Sequence, residues 1–82
     1  GNLKAVYARA SLHRRALAAV ERILLVSPHA REERRDRGLL LAELDRLPEA
    51  VVELRRYLKS TPDAENVREQ LKKIQARLAS LN

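Results

Sequence analysis

The sequence predicts an all-α fold, an antiparallel stack of about two helix hairpins closed by a C-terminal capping helix. Three observations carry that expectation. Prolines 28 and 62 stand 34 residues apart, and a shift of 34 lays Ala8 on Ala42, Ala16 on Ala50, Leu17 on Val51, Val20 on Leu54, Leu24 on Leu58 and Ser27 on Thr61. A period of that length marks a tandem helical-hairpin unit. Apolar residues also recur at three- and four-residue spacing, which gathers them on one face of a helix. Finally, the 45% hydrophobic content is nearly all Leu, Ala, Val and Ile with two tyrosines, a mixture better suited to helices than to strands.

Each element follows in order, within one domain spanning 1–82. Repeat 1 covers about 1–28, repeat 2 about 29–62, and the capping helix about 63–82. A first helix is expected over 2–10, with Leu3, Val6, Tyr7 and Ala10 on one face. Ser11 opens a turn, and a second helix over 13–26 buries Ala16, Leu17, Val20, Ile23 and Leu24. Ser27 and Pro28 stop it and start the next cap, because proline lacks an N–H and is tolerated only in a first helical turn. The third helix spans about 30–44, apolar on nearly every side from Gly38 to Ala42. Asp45 and Arg46 turn the chain, and Pro48 with Glu49 suits the first turn of a fourth helix lined by Leu47, Ala50, Val51, Leu54 and Leu58. Thr61, Pro62 and Asp63 repeat the stop-and-cap pattern. A fifth helix, about 63–81, carries Val67, Leu71, Ile74, Leu78 and Leu81 as one stripe with Arg68, Lys72, Lys73 and Arg77 around it. One buried face and one wet face are what a terminal cap requires.

Gly38, Leu47, Ala50, Val51, Leu54, Leu58 and Pro62 resemble the glycine, the large apolar residue, the crossing alanine, the following apolar positions and the closing proline of the tetratricopeptide repeat. Leu3, Tyr7, Ala16, Leu17, Val20, Leu24 and Pro28 match it in the first repeat, which has Lys4 in the glycine's place and starts after the opening turn of its first helix. Arg37 and Tyr57 depart from the pattern, where leucine and a small residue are usual. A narrower resemblance covers most of the chain. The string Arg35-Asp36-Arg37-Gly38-Leu39-Leu40-Leu41, with Asn2 to Tyr7 ahead and Val67 to Leu71 behind, is similar to the C-terminal tail of bacterial transglutaminase-like proteins, where a helical repeat tail follows a papain-like domain. That resemblance implies an excised, non-catalytic tail, since the family's cysteine and histidine belong to the upstream domain.

Composition bounds what remains. A chain of 82 residues buries about 60 to 65% of its unfolded surface. Its stability should lie at about 4 to 12 kcal/mol. The longest apolar runs, 23–26 and 39–42, fall far short of the roughly 20 residues of a membrane span. Lys4 and Arg9 interrupt any leader-like stretch, and the expected location is cytoplasmic. With no cysteine there is neither a disulfide framework nor a thiolate nucleophile. Fewer than two complete repeats plus a cap leave apolar surface exposed, so pairing with a second copy or with an upstream domain is expected.

No residue set reaches the level of an active site, and neither an enzyme nor a cofactor is expected. Ser11, Ser27, Ser60 and Ser80 all sit at expected turns or helix ends, where capping is their natural use. His13 takes the place of Leu47 and is expected to pack at the hairpin corner. His29, Glu32 and Glu33 lack a third strong ligand at metal spacing, and acidic residues suit a first helical turn in any case. The charge run 31–37 balances to within one charge, with Glu33 and Arg37 at i, i+4 as a surface pair. Arg35 and Asp36 have a sharper reading, as residues that fix the chain against a partner.

The net charge of +6 divides unevenly: five basic against one acidic residue give +4 over 1–29, five against five balance over 30–46, and seven against five give +2 over 47–82. A basic first hairpin attracts nucleic acid or an anionic surface. No aromatic residues interleave the positives as stacking platforms, so an acidic protein partner is the better use of that charge. The tetratricopeptide resemblance implies a concave groove lined by the first helix of each hairpin. Carried over, its lining is Ala5, Ala8 and Arg9, then Glu32, Arg35, Leu39, Ala42 and Glu43, then Asn66, Glu69, Lys73 and Arg77. The asparagine, lysine and arginine pattern that clamps a chaperone's C-terminal carboxylate is missing. The expected function is a protein interaction module binding a peptide, a helix or its own upstream domain in that groove. The alternative is a basic helical domain on nucleic acid or an anionic surface.

Overall fold

The computed structural model describes residues 3–81, except for the side chain of Leu3; Asn2, where the first expected helix opens, lies outside them. The described residues form four helices, α1 (Leu3–Val26), α2 (Arg31–Glu43), α3 (Leu47–Ser60) and α4 (Glu65–Ser80), each packed on the next in chain order. The all-α hairpin stack stands, with one helix fewer than expected.

The turn at Ser11 does not form, and α1 runs unbroken for 24 residues. From Ala8 to Ala16 the chain holds alanine, arginine, leucine, one serine and one histidine, with neither glycine nor proline to end the helix. Folding back would need residues 3–10 to lie close against 13–26, and Lys4 stands where the second repeat has Gly38. The straight helix leaves half of its expected core uncovered. Leu17 and Leu24 are buried and Val20 is half-buried, but Ala16 and Ile23 are exposed, as are Val6 and Tyr7.

The second repeat closes as expected. Leu41 and Leu54 are fully enclosed, and Leu47, Ala50, Val51 and Tyr57 of α3 join them. Val67, Leu71 and Ile74 of α4 complete the core; Leu78 is half-buried, and Leu81 lies past the helix end and is exposed. Gly38 sets the spacing of α2 on α3. A Cβ there would stand 2.7 Å from Leu54 Cδ2 and 3.3 Å from Glu53 Cβ, so glycine's hydrogen is what lets the two helices meet.

Turn chemistry decides the helix ends. After α2 the Arg46 N–H reaches Leu41 O at 2.9 Å and the Asp45 N–H reaches Ala42 O at 3.1 Å. This is a Schellman closure in which Asp45, at φ 61°, takes the left-handed position that glycine usually fills. The two proline turns are built alike, with the Ala30 N–H on Ser27 O and the Ala64 N–H on Thr61 O. Ala30 and Ala64 are the N-cap residues, and neither start has a side-chain cap. Arginines one turn into each helix close the loop instead. Arg34 donates to Pro28 O at 3.0 Å, and Arg68, 34 residues on, donates to Pro62 O. The hydroxyls of Ser60 and Ser80 donate to the carbonyls of Tyr57 and Arg77 at helix ends, whereas Ser11 lies inside α1.

The expected Glu33–Arg37 surface pair is absent among the described ion pairs, because Arg37 turns inward. Its Nε donates to Glu21 of α1 at 3.1 Å and its Nη1 lies 3.8 Å from Glu53 of α3. Glu53 is the one buried charged residue among those described, 4% exposed, and Arg34 and Arg56 approach the same carboxylate at 3.4 and 3.8 Å. A carboxylate can be held in a core only when paired, and three guanidinium groups supply the pairing. The departure at Arg37 thus ties three helices together.

Candidate binding groove

α2, the end of α3 and the start of α4 enclose a cleft of about 430 Å³. Arg35 and Leu39 come from α2, Tyr57 from α3, and Asn66, Val67 and Gln70 from α4, with Asp63, Ala64 and Glu65 at the turn. The three-and-four spacing of Arg35 and Leu39 with Glu32 and Glu43 on one helix, and of Asn66, Gln70, Lys73 and Arg77 on the other, sends each set along one flank. Leu39 is half-buried and provides the apolar strip of the floor.

Arg35 is held in place. Its Nε and Nη2 meet Asp36 Oδ1 at 3.1 and 3.0 Å, and its guanidinium lies 6.0 Å above the Tyr57 ring. That ring distance is at the outer limit of a cation–π contact. Burial alone pulls the Arg35 pKa down, but the hydrogen bond and charge of Asp36 outweigh it and the value lies above the ordinary one. A cation stacked on a buried ring presents a fixed donor set to a carboxylate or a backbone carbonyl.

The candidate residues divide into three groups. Arg35, Leu39 and Asn66 line the cleft together. Glu32, Glu43, Glu69 and Lys73 are exposed on α2 and α4 and lie outside the cleft's lining. The structure does not bring Arg9 or Arg77 to it. Arg9 is exposed on the straight α1, outside the cleft's lining, because the helix that would have carried it inward does not fold back. Arg77 reaches the other way and pairs with Asp45 in the turn after α2, where its donors are engaged.

Sequence reasoning missed Tyr57, Val67 and Gln70 as lining. The signal for Tyr57 was present, since a large ring at a position that is usually small must fill space or make a wall. Here it does both, because the same ring also borders a second cleft of about 510 Å³ with Pro28, His29, Arg31, Arg34, Arg56 and Ser60. His13 lies half-buried along α1, at no hairpin corner. His29, Glu32 and Glu33 gather no further ligand, and the described residues contain no group of three or more His, Cys, Asp or Glu side chains able to hold a metal. No described helix is long and apolar enough to cross a membrane.

The 34-residue repetition of turns, the glycine at the helix crossing and the stacked hairpin agree with a family comparison, in which the profile described as "Tetratricopeptide repeat" matches residues 3–79. The chain belongs to the tetratricopeptide repeat family. Tetratricopeptide repeats generally mediate protein–protein interaction and are typically non-catalytic. Among curated proteins, a "UPF0162 protein" of Xylella fastidiosa is 39% identical over 66 residues, covering 80% of this chain and 24% of that protein. This tetratricopeptide chain therefore spans about a quarter of the relative's length. No solved structure matches it.

Proposed function

We propose that this chain is a protein interaction module whose cleft between α2, α3 and α4 receives an extended peptide, a helix or the face of an adjacent domain. The observation that carries the reading is the Arg35–Tyr57 stack beside the half-buried Leu39, a fixed cation next to an apolar strip. Such a pair suits a partner segment with a carboxylate or carbonyl next to an aliphatic side chain. Glu32, Glu43, Glu69 and Lys73, exposed on the same two helices, would tune orientation and on-rate more than affinity.

We further propose that the module is the scaffold tail of a bacterial, cytoplasmic transglutaminase-like protein and docks its own upstream domain. The resemblance of the string 35–41 to such tails is what supports this, together with a relative about four times longer than the matched region. Any chemistry of the parent then resides outside this chain. The test is an amide chemical-shift titration of the labelled chain with that transglutaminase-like domain. Shifts centred on Arg35, Leu39, Asn66 and Gln70 support the dock; none at high concentration rejects it and leaves the cleft to a separate protein.

A second reading is binding of an anionic surface or nucleic acid. It is favoured by the cleft where Arg31, Arg34 and Arg56 converge with His29. Retention on heparin that disappears in modest salt, without any oligonucleotide shift, removes the nucleic-acid reading.

A further inference from the structure

The outer face of α1 carries a second apolar seam. Leu12, Ala16, Ala19, Ile23 and Val26 follow one another at spacings of four, three, four and three, and all five are exposed, Ile23 at 45% and Val26 at 84%. Residues at that spacing form a single line along a helix, here about 21 Å long.

The internal repeat shows what such a line is for. Shifted by 34, Ala16, Ala19 and Ile23 become Ala50, Glu53 and Tyr57, all three buried. The helix over them is α2: Gly38 meets Glu53, Arg34 and Arg37 pair with its carboxylate, and Arg35 lies over Tyr57. The seam of α1 therefore has the shape of a helix slot whose counterpart in the next repeat is filled.

The charges in the two slots differ. In the filled slot α3 supplies the Glu53 carboxylate, and Arg34 and Arg37 arrive from α2. On α1 the residue matching Glu53 is Ala19, which carries no charge, and it is flanked by Arg15, where α3 has the exposed Glu49, and by Arg22, where α3 has Arg56. Arg15 and Arg22 are exposed along one edge of the seam, with no ion pair among the described residues. Carboxylates must then come from the occupant. A second copy of the chain would bring Arg15 and Arg22 against their own kind, which counts against self-pairing.

We propose that this seam docks an acidic amphipathic helix of a partner protein, with a small residue at the crossing over Ala16 and Ala19 and carboxylates facing Arg15 and Arg22. The surface is separate from the cleft at α2 and α4, so either proposal stands if the other fails.

The probe is a peptide with the sequence of residues 31–44 and the substitutions R34E and R37E, titrated into the labelled 82-residue chain. Amide shifts on Leu12, Ala16, Ala19 and Ile23 are expected. The paired variant R15E with R22E should weaken binding about tenfold, as two lost charge contacts imply. Ile23→Glu, on an exposed position and with an unchanged melting midpoint, should abolish it. The proposal is overturned if the seam stays unshifted at millimolar peptide, or if shifts gather only on Arg35, Leu39 and Asn66. Equal binding by the peptide with its arginines intact also overturns it. So does a dimer in sedimentation that Ile23→Glu dissociates, since the occupant would then be a second copy.

Discussion

Gly38→Ala places a methyl group at the tightest contact in the molecule. The added carbon would stand 2.7 Å from Leu54 Cδ2, 2.9 Å from Leu54 Cγ and 3.3 Å from Glu53 Cβ, all inside ordinary carbon–carbon contact. Leu54 is 0% exposed and cannot swing out into solvent. Overpacking of this kind costs about 1 to 3 kcal/mol. In the other direction, alanine is the better helix former by about 1 kcal/mol. The net expectation is a loss of about 1 kcal/mol, or a melting midpoint roughly 4 to 8 °C lower for a domain of this size.

The sign should reverse when the obstacle is removed. Leu54→Ala alone costs about 2 to 5 kcal/mol and deletes the atoms that the new methyl group would strike. In that background Gly38→Ala should stabilise by up to about 1 kcal/mol, its helix-propensity gain opposed only by the remaining 3.3 Å contact with Glu53 Cβ. Thermal and urea unfolding of the four proteins, followed by circular dichroism, give the coupling energy, expected at up to about 2 kcal/mol. If Gly38→Ala raises stability equally in both backgrounds, the glycine is not there for the helix crossing and the packing argument fails.

Glu53→Gln keeps the side-chain shape and removes the charge shared by Arg34, Arg37 and Arg56; urea titration should show a loss of about 1 to 2 kcal/mol, discounted because the arginines keep some contact with water. Asp45→Gly relieves the left-handed residue at φ 61° but also breaks its pair with Arg77, so its gain of about 1 kcal/mol should emerge fully only in an Arg77→Ala background, measured by thermal melts. Glu49 should titrate below the usual carboxylate range in an NMR pH series, because Arg46 donates two hydrogen bonds to it at 2.9 and 2.8 Å. With the folded pKa depressed, the pair's contribution is present above the ordinary carboxylate value and fades as pH falls through the folded one; Arg46→Ala should restore ordinary titration.

The helices that the sequence describes best are those whose two ends and one face all agree. Pro48 at the start, the line from Ala50 to Leu58 and the Thr61–Pro62 stop define α3 within a residue or two, and the stripe from Val67 to Ile74 places α4 as surely. The break in α1 was misread because the 34-residue match extends to the residues before 11, and the repeat's turn was carried across with them. Local chemistry resists that turn, since serine at 11 has neither glycine nor proline beside it and Lys4 replaces the glycine that a close return would need. In the groove, Arg35, Leu39 and Asn66 follow from helix position alone. Tyr57 and Glu53 do not, because their roles depend on which groups of α2 reach across to α3, and spacing within one helix carries no information about that.

The two ends of the stack differ in a way that bears on assembly. The α2–α3 pair is self-sufficient: it has the glycine, the buried Glu53 and the arginines that satisfy it. α4 turns Glu65, Glu69 and Lys72 outward, residues that are stable in water and offer no purchase to another helix. α1 turns Leu12, Ala16, Ala19, Ile23 and Val26 outward, and each loses free energy by staying wet. Growth of the stack by a further helix is therefore favourable on the α1 side and opposed on the α4 side. The cleft beside Arg35 lies at the closed end, where neighbouring helices already hold its walls. A partner helix on α1 would leave that cleft open, so the two proposed occupants would not compete.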